Sequence, residues 1–436
     1  MNKRILQLAV PNIISNLSVP LLGAVDTALV GHLDDAYYLG ALAVGGMIFN
    51  FLFWGFGFLR MGTTGLTAQS YGMRDRTEMF MILVRVQLVA MILGLLLLML
   101  QKPISVLCFW IIESSREVEL YSLVYFDIRI YTAPAVLALY GINGWFLGMQ
   151  NAKYPMIVTV FLNLLNIILN VFFIYVLGMH VDGVAWGTLI STWLGLGLAV
   201  FLFLKRYKRY IGHYVQKRLA DLEEIKKFFI VNRDIFIRTL CLIFTFSFFT
   251  AKSAEQGDLV LAANTILLQL WMIVSYGIDG FAYAAESLVG RFSGGNQKEK
   301  LRRAVWYTMG WGLVIGITGS LFYGIFDRHI LHLFTNQVNV IAIAETVIFW
   351  TVMAPAVASI CYIWDGVFIG ATATQPMRNS MLLSTFLIFL PAYYVGTFYL
   401  DEHGLWLAMI LFMIARGVIL SLYAPFKIFH QDGINR

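Results

Sequence analysis

Asp26 is a lone carboxylate inside the apolar run PNIISNLSVPLLGAVDTALVG, residues 11–31. About 20 apolar residues rising 1.5 Å each cover the roughly 30 Å of bilayer hydrocarbon, so the run reads as a membrane span. A carboxylate at that depth is costly unless it is protonated, paired or wetted, and it is therefore a candidate for handling a proton or a cation. The plain alternative is an Asp satisfied by neighbouring amides and hydroxyls for packing alone. Pro20 lies six residues earlier in the same run. It removes a backbone donor and is expected to kink the helix or unwind it locally.

Three neutral groups belong with Asp26. Counting inward from span ends puts Asp26, Asn170 and Thr188 near one level, with Asn166 one turn and about 6 Å deeper. Together they offer carboxylate, amide and hydroxyl oxygens on three helices, the ligand types a proton or Na⁺ site uses. Ordinary hydrogen bonds between helices are the competing reading for the two Asn and the Thr. The sequence shows no cationic partner for Asp26. Asp127 and Arg129, two residues apart, point to different helix faces and take no assignment.

A second polar set falls in the other half of the chain. Asp365 and Arg238 come out at similar depth with opposite charge, and Asp279 lies in the inner part of its span. A buried Asp365–Arg238 ion pair is the first expectation. The functional alternative is that Asp365 or Asp279 contacts a cationic compound or takes a proton.

Other chemistries lack their residues. His329 and His332 share a helix face but have no third ligand, so no metal site is expected. No GxxxxGK[ST] loop is present, which argues against direct ATP drive. Cys108, Cys241 and Cys361 show neither paired nor metal-ligand spacing and read as core packers. No cofactor and no catalytic group is expected.

The elements that position these residues follow from composition. Of 436 residues, 59% are hydrophobic and 13% are charged, about half the charge of a soluble protein. Twelve apolar segments can be drawn, near 11–31, 38–59, 79–100, 119–148, 155–177, 183–204, 234–252, 259–288, 303–325, 340–371, 377–398 and 404–425. With the N-terminus inside, the outer loops hold only Lys102, Arg116, Lys252 and Arg328 of the 31 Lys and Arg. That bias places both termini in the cytoplasm.

Residues 205–229, KRYKRYIGHYVQKRLADLEEIKKFF, are too charged to cross. Leu219, Leu222, Ile225 and Phe228 suit a helix lying along the inner leaflet, with basic residues meeting anionic headgroups. The positive-inside bias already accounts for these charges, so no nucleic-acid partner is expected. The divisions are thus 1–204 as a first six-helix lobe, 205–233 as a basic cytoplasmic linker with an interfacial helix, and 234–436 as a second lobe.

The two lobes are one repeat. YGINGWFLG at 140–148 recurs as YIWDGVFIG at 362–370, a shift of 362 − 140 = 222. Gly55 and Gly277, and Gly72 and Gly294, keep the same shift. Each lobe has an even number of spans, so the two share one orientation and are related by a pseudo-twofold axis along the membrane normal. Asp26 has Phe248 as its repeat mate and Asp365 has Asn143, so the lobes differ chemically.

With PNIISNLSVPLLGAVDTALVGHL at 11–33, LAANTILLQL at 261–270, YGIDGFAYAAESLVGRFSGG at 276–295 and DGVFIGATATQPMRNSM at 365–381, the chain resembles the multidrug and toxic compound extrusion (MATE) family, nearest its DinF-like branch. The resemblance covers essentially the whole chain. It implies a V-shaped pair of six-helix lobes and cation-driven export of amphipathic, often cationic compounds. It also implies that Asp26, Asn166, Asn170 and Thr188 match the N-lobe cation site, where relatives usually carry a second acid at the position of Asn170.

The function expected is proton-coupled multidrug efflux by alternating access in the plasma (inner) membrane, with Asp26 taking the proton and Na⁺ fitting less well. A flippase for a lipid-linked precursor is the alternative, although it would want a strongly basic cavity. A membrane-embedded enzyme fits worst.

Overall fold

The computed structural model describes residues 1–33, 35–112, 114–219 and 221–429. These residues form helices and short connections, with no strand among them. Among the described residues twelve helices are long and apolar enough to cross a membrane. Spans 1 to 6 are Asn2–Gly31, Ala36–Met73, Arg76–Met99, Arg116–Gly148, Lys153–Val176 and Val181–His213. Spans 7 to 12 are Leu222–Glu255, Asp258–Gly294, Lys298–Phe334, Val338–Gly370, Thr374–Leu400 and Glu402–Phe429. In hydrocarbon each backbone amide must bond within its own segment, and an all-helical chain achieves this.

The chain packs as two compact units, one of residues Ile14–Lys226 and one of Met1–Ile13 with Lys227–Arg436. Span 1 therefore contributes to both. Its first residues lie with spans 8 and 9, where Gly280 leaves room for Ile13 and the Ala9 carbonyl, and Trp311 donates to Asn2. From Ile14 onward it belongs with spans 2 to 6.

Repeat-related residues make matching contacts inside each unit. A Cβ on Gly144 would collide with the Arg60 carbonyl, and one on Gly366 would collide with the Ala282 carbonyl. All four positions keep the shift of 222, so these glycines recur because span 4 approaches span 2, and span 10 approaches span 8, to backbone contact. Gly94 against Pro134, and Gly316 against the Pro355 carbonyl, repeat the arrangement between spans 3 and 4 and between spans 9 and 10. Left-handed turns repeat too: Arg74 (φ 62°) mates with Asn296 (φ 51°), and Gln150 (φ 62°) with Thr372 (φ 51°).

Three local features depart from the sequence reading. Span 1 stays helical through Pro20, so the proline does not unwind it in this state. Span 2 breaks at Phe56–Gly57 into Ala36–Gly55 and Phe58–Met73. Its repeat counterpart, span 8, is one helix across Gly277. In the linker, span 7 reaches back to Leu222 as one 34-residue helix, where a separate helix along the leaflet was expected. The physical reason is a shared face: Ile225 stands three residues before Phe228, in step with the buried row Phe228, Val231 and Ile235 of the span.

Candidate functional site

Within the first unit, span 5 lies along span 6 and carries Asn163, Asn166 and Asn170 on one face, all buried. Gly187 on span 6 makes this possible, since a Cβ there would collide with the Asn170 side chain. Asn170 Nδ2 donates to Asp26 Oδ1 at 2.7 Å and to Asn166 Oδ1 at 2.8 Å. Asn166 Nδ2 in turn donates to Thr188 Oγ1 at 3.0 Å, and Thr188 donates to the Val184 carbonyl at 2.9 Å. The four residues picked from span counting thus form one hydrogen-bonded chain across spans 1, 5 and 6. Asn170 Oδ1 is buried with no hydrogen-bond partner among the described residues.

Two additions were missed from sequence. Asn163 Nδ2 donates to Ser18 Oγ at 2.9 Å, tying span 5 to span 1 two residues before Pro20. Its position three residues before Asn166 was the available signal. The second is Arg129 on span 4, which lies within electrostatic reach of Asp26, so Asp26 does have a cationic neighbour. Its guanidinium donates to the Tyr125 hydroxyl and lies 4.9 Å from the centre of the Phe49 ring. Arg129 Nε is buried with no partner among the described residues. Asp127, by contrast, faces Lys102 at 3.3 Å in an exposed pair.

In the second unit, Asp365 (span 10) accepts from Arg238 (span 7) and from Arg416 (span 12), both on Oδ2, the latter at 2.6 Å. All three are buried. The two-membered pair read from sequence is therefore a triad. Two guanidiniums against one carboxylate leave one positive charge over. Asp279 lies half-buried on span 8 of the same unit. Arg416 also lies 5.2 Å from the centre of the Phe412 ring. Its signal in the sequence was an arginine in mid-span within LFMIARGVIL, residues 411–420.

Among the described residues no three His, Cys, Asp or Glu side chains cluster as metal ligands. In the first unit the hydrogen-bonded chain contains one carboxylate, Asp26. The second holds its Asp365 carboxylate already neutralised.

The sequence model of the MatE family matches residues 11–172 and 235–395, once in each half. DNA damage-inducible protein F of Escherichia coli K12 is 37% identical over 429 residues, which is 96% of this chain and 91% of that protein. The probable multidrug resistance protein NorM of Thermotoga maritima is 23% identical over 435 residues, 97% of this chain and 91% of that protein. A multidrug resistance MATE family transporter of the MOP superfamily, solved in an outward-facing conformation, shares the fold with a TM-score of 0.88 at 20% identity, covering 98% of this chain and 95% of that one. A twelve-span helical fold, a doubled family match and a close relative over nearly its whole length lead to one conclusion: this chain is a member of the MatE family of membrane transporters.

Proposed function

We propose that the protein is a proton-coupled antiporter that exports amphipathic or cationic small molecules by alternating access, with Asp26 carrying the proton. Its Lys and Arg distribution supports an inner-membrane topology with both termini in the cytoplasm. The observation that carries the reading is the chain Asp26–Asn170–Asn166–Thr188, in which Asp26 is the one group that titrates.

Ionised, Asp26 accepts from Asn170 and leaves the unit able to hold a cation. Protonated, it becomes a donor and needs an acceptor. Asn170 Oδ1, now without a partner, supplies one if the amide turns over. That turn breaks the donation to Asn166, so proton uptake rewires the link between spans 1 and 5. Span 1 is free to respond: 6% of its most apolar stretch is buried, against 22% to 61% for the other spans. Pro20 sits between the Ser18 tether and Asp26, where the missing backbone bond makes bending cheapest.

Purified protein should release protons when a cationic amphiphile is added, in proportion to the compound bound. Binding without proton release would overturn the coupling and leave the flippase reading ahead.

A further inference from the structure

The turn between spans 8 and 9 opens on a cavity of about 570 Å³ in the second unit. Its floor is Phe292, Leu301 and Ile428, all buried, and Trp306 and Phe429 form its wall. Its rim is polar with a net positive charge, made of Ser293, Asn296, Gln297, Lys298, Glu299 and Arg302. A recess beside it, about 420 Å³, is lined by Asn296 to Lys300. Glu299 faces Arg303 at 3.7 Å, whereas Arg302 makes no ion pair among the described residues. The Gln297 side chain does not cap the first-turn amides of span 9, which leaves those amides open at this end of the helix.

The repeat shows what such a rim is for. At the matching turn of the first unit stand Asp75 and Glu78, the mates of Gln297 and Lys300. There the chain supplies its own cation: Arg218, on the short linker helix Gln216–Leu219, reaches Asp75 at 3.0 Å and Glu78 at 3.8 Å. Its carbonyl accepts from Arg85 at 2.6 Å. The second unit has exchanged both acids for an amide and an ammonium, with Lys300 donating to Gln297 at 3.0 Å. At the second unit's turn Lys298, Lys300 and Arg302 outnumber Glu299, so the rim suits an anion, and its apolar wall suits an anion that carries a hydrocarbon tail.

We propose that this cavity seats the headgroup of an anionic phospholipid, its phosphate against Arg302 and the first turn of span 9 and its acyl chain along Trp306 and Phe429. The assignment to the inner leaflet rests on the cytoplasmic placement of the turn between spans 8 and 9. A cavity of this size suits a headgroup and glycerol, with the chains running out along the span. Held there, the lipid would bind span 9 to the end of span 12.

The test is native mass spectrometry of the whole protein taken from bilayer nanodiscs holding equal phosphatidylglycerol and phosphatidylcholine. The wild type should retain phosphatidylglycerol several-fold over phosphatidylcholine. Arg302→Glu and Arg302→Gln should bring the ratio to about one, and Trp306→Ala should reduce retention of both lipids. Arg303→Glu, one residue away and already paired with Glu299, should keep the wild-type preference. Equal retention of the two lipids by the wild type, or equal loss in Arg302→Glu and Arg303→Glu, would overturn the site. Impermeant thiol labelling of Asn296→Cys in inside-out and right-side-out vesicles decides sidedness by itself. Labelling from the outside would move the site to the outer leaflet without touching its chemistry.

Discussion

Asn170 donates its side-chain amide to the Asp26 carboxylate at 2.7 Å, and among the described residues it is the one direct hydrogen bond between span 5 and that acid. Asp26→Asn keeps the shape of the acid and removes its titration. Efflux driven by a pH gradient should fall to background while the variant inserts, purifies and melts like the wild type. Wild-type efflux from the Asn variant would remove Asp26 from the mechanism.

Arg129 sets the second expectation. Its guanidinium is the charge that bears on Asp26 from span 4, so Arg129→Met should change the pH dependence of transport. Its packing on Phe49 and Tyr125 predicts some loss of stability as well. The long methionine side chain limits that loss. A pH profile identical to the wild type would show that Arg129 acts through packing alone.

The Asp365 triad is expected to behave as a set of three. Asp365→Asn strands two buried guanidiniums and should destabilise the protein by about 3–5 kcal/mol. Adding Arg238→Met should recover only part of that loss, because Arg416 remains buried without its carboxylate. Replacing Arg416 as well should recover most of the rest. Thermal unfolding in detergent of the single, double and triple variants gives the coupling. Full recovery in the double variant would mean that Arg416 finds another partner.

Acid should loosen the linker. Partial burial pushes the Asp75 carboxyl up, but the Glu78 amide and the Arg218 guanidinium outweigh it and hold it below the usual carboxylate range. The stability from this contact is therefore complete above that range and is lost as pH falls through the lowered folded value. Proteolysis within residues 214–221 should speed up in acid. In Arg218→Ala it should be fast at every pH.

How much of this was legible depended on which signals are local. The spans follow from apolar length, and the depth of Asn166, Asn170 and Thr188 follows from counting 1.5 Å per residue, because a helix fixes both. The glycines of the repeat were visible, but the reason for them, backbone contact of Gly144 with Arg60 and of Gly366 with Ala282, needed the structure. Arg416 and Arg129 escaped because partner choice depends on how helices are rotated about their axes, which spacing does not determine across separate spans. The break at Phe56–Gly57 escaped because Gly55 and Gly277 keep one repeat register while span 8 runs unbroken across its glycine, so the shared residue carries no signal for a break.

The coupling ion is the sharpest prediction. Na⁺ must shed most of its water and find replacement oxygens with enough negative charge to offset that dehydration. The chain around Asp26 offers one carboxylate, two amides and a hydroxyl. Those amides already spend donors and acceptors on one another: Asn166 Oδ1 accepts from Asn170, and Thr188 Oγ1 accepts from Asn166. Among the described residues Asn170 Oδ1 is the buried oxygen of this set without a hydrogen-bond partner, too sparse an addition for a Na⁺ shell but sufficient for the O–H of a protonated Asp26. Arg129, in electrostatic reach, repels a second cation further. Efflux from proteoliposomes should therefore follow an imposed pH gradient and ignore a Na⁺ gradient at fixed pH. Asn170→Asp adds the second acid and should bring in a Na⁺ response where the wild type has none. Sodium-driven efflux by the wild type, unchanged in Asn170→Asp, would place the coupling site away from Asp26.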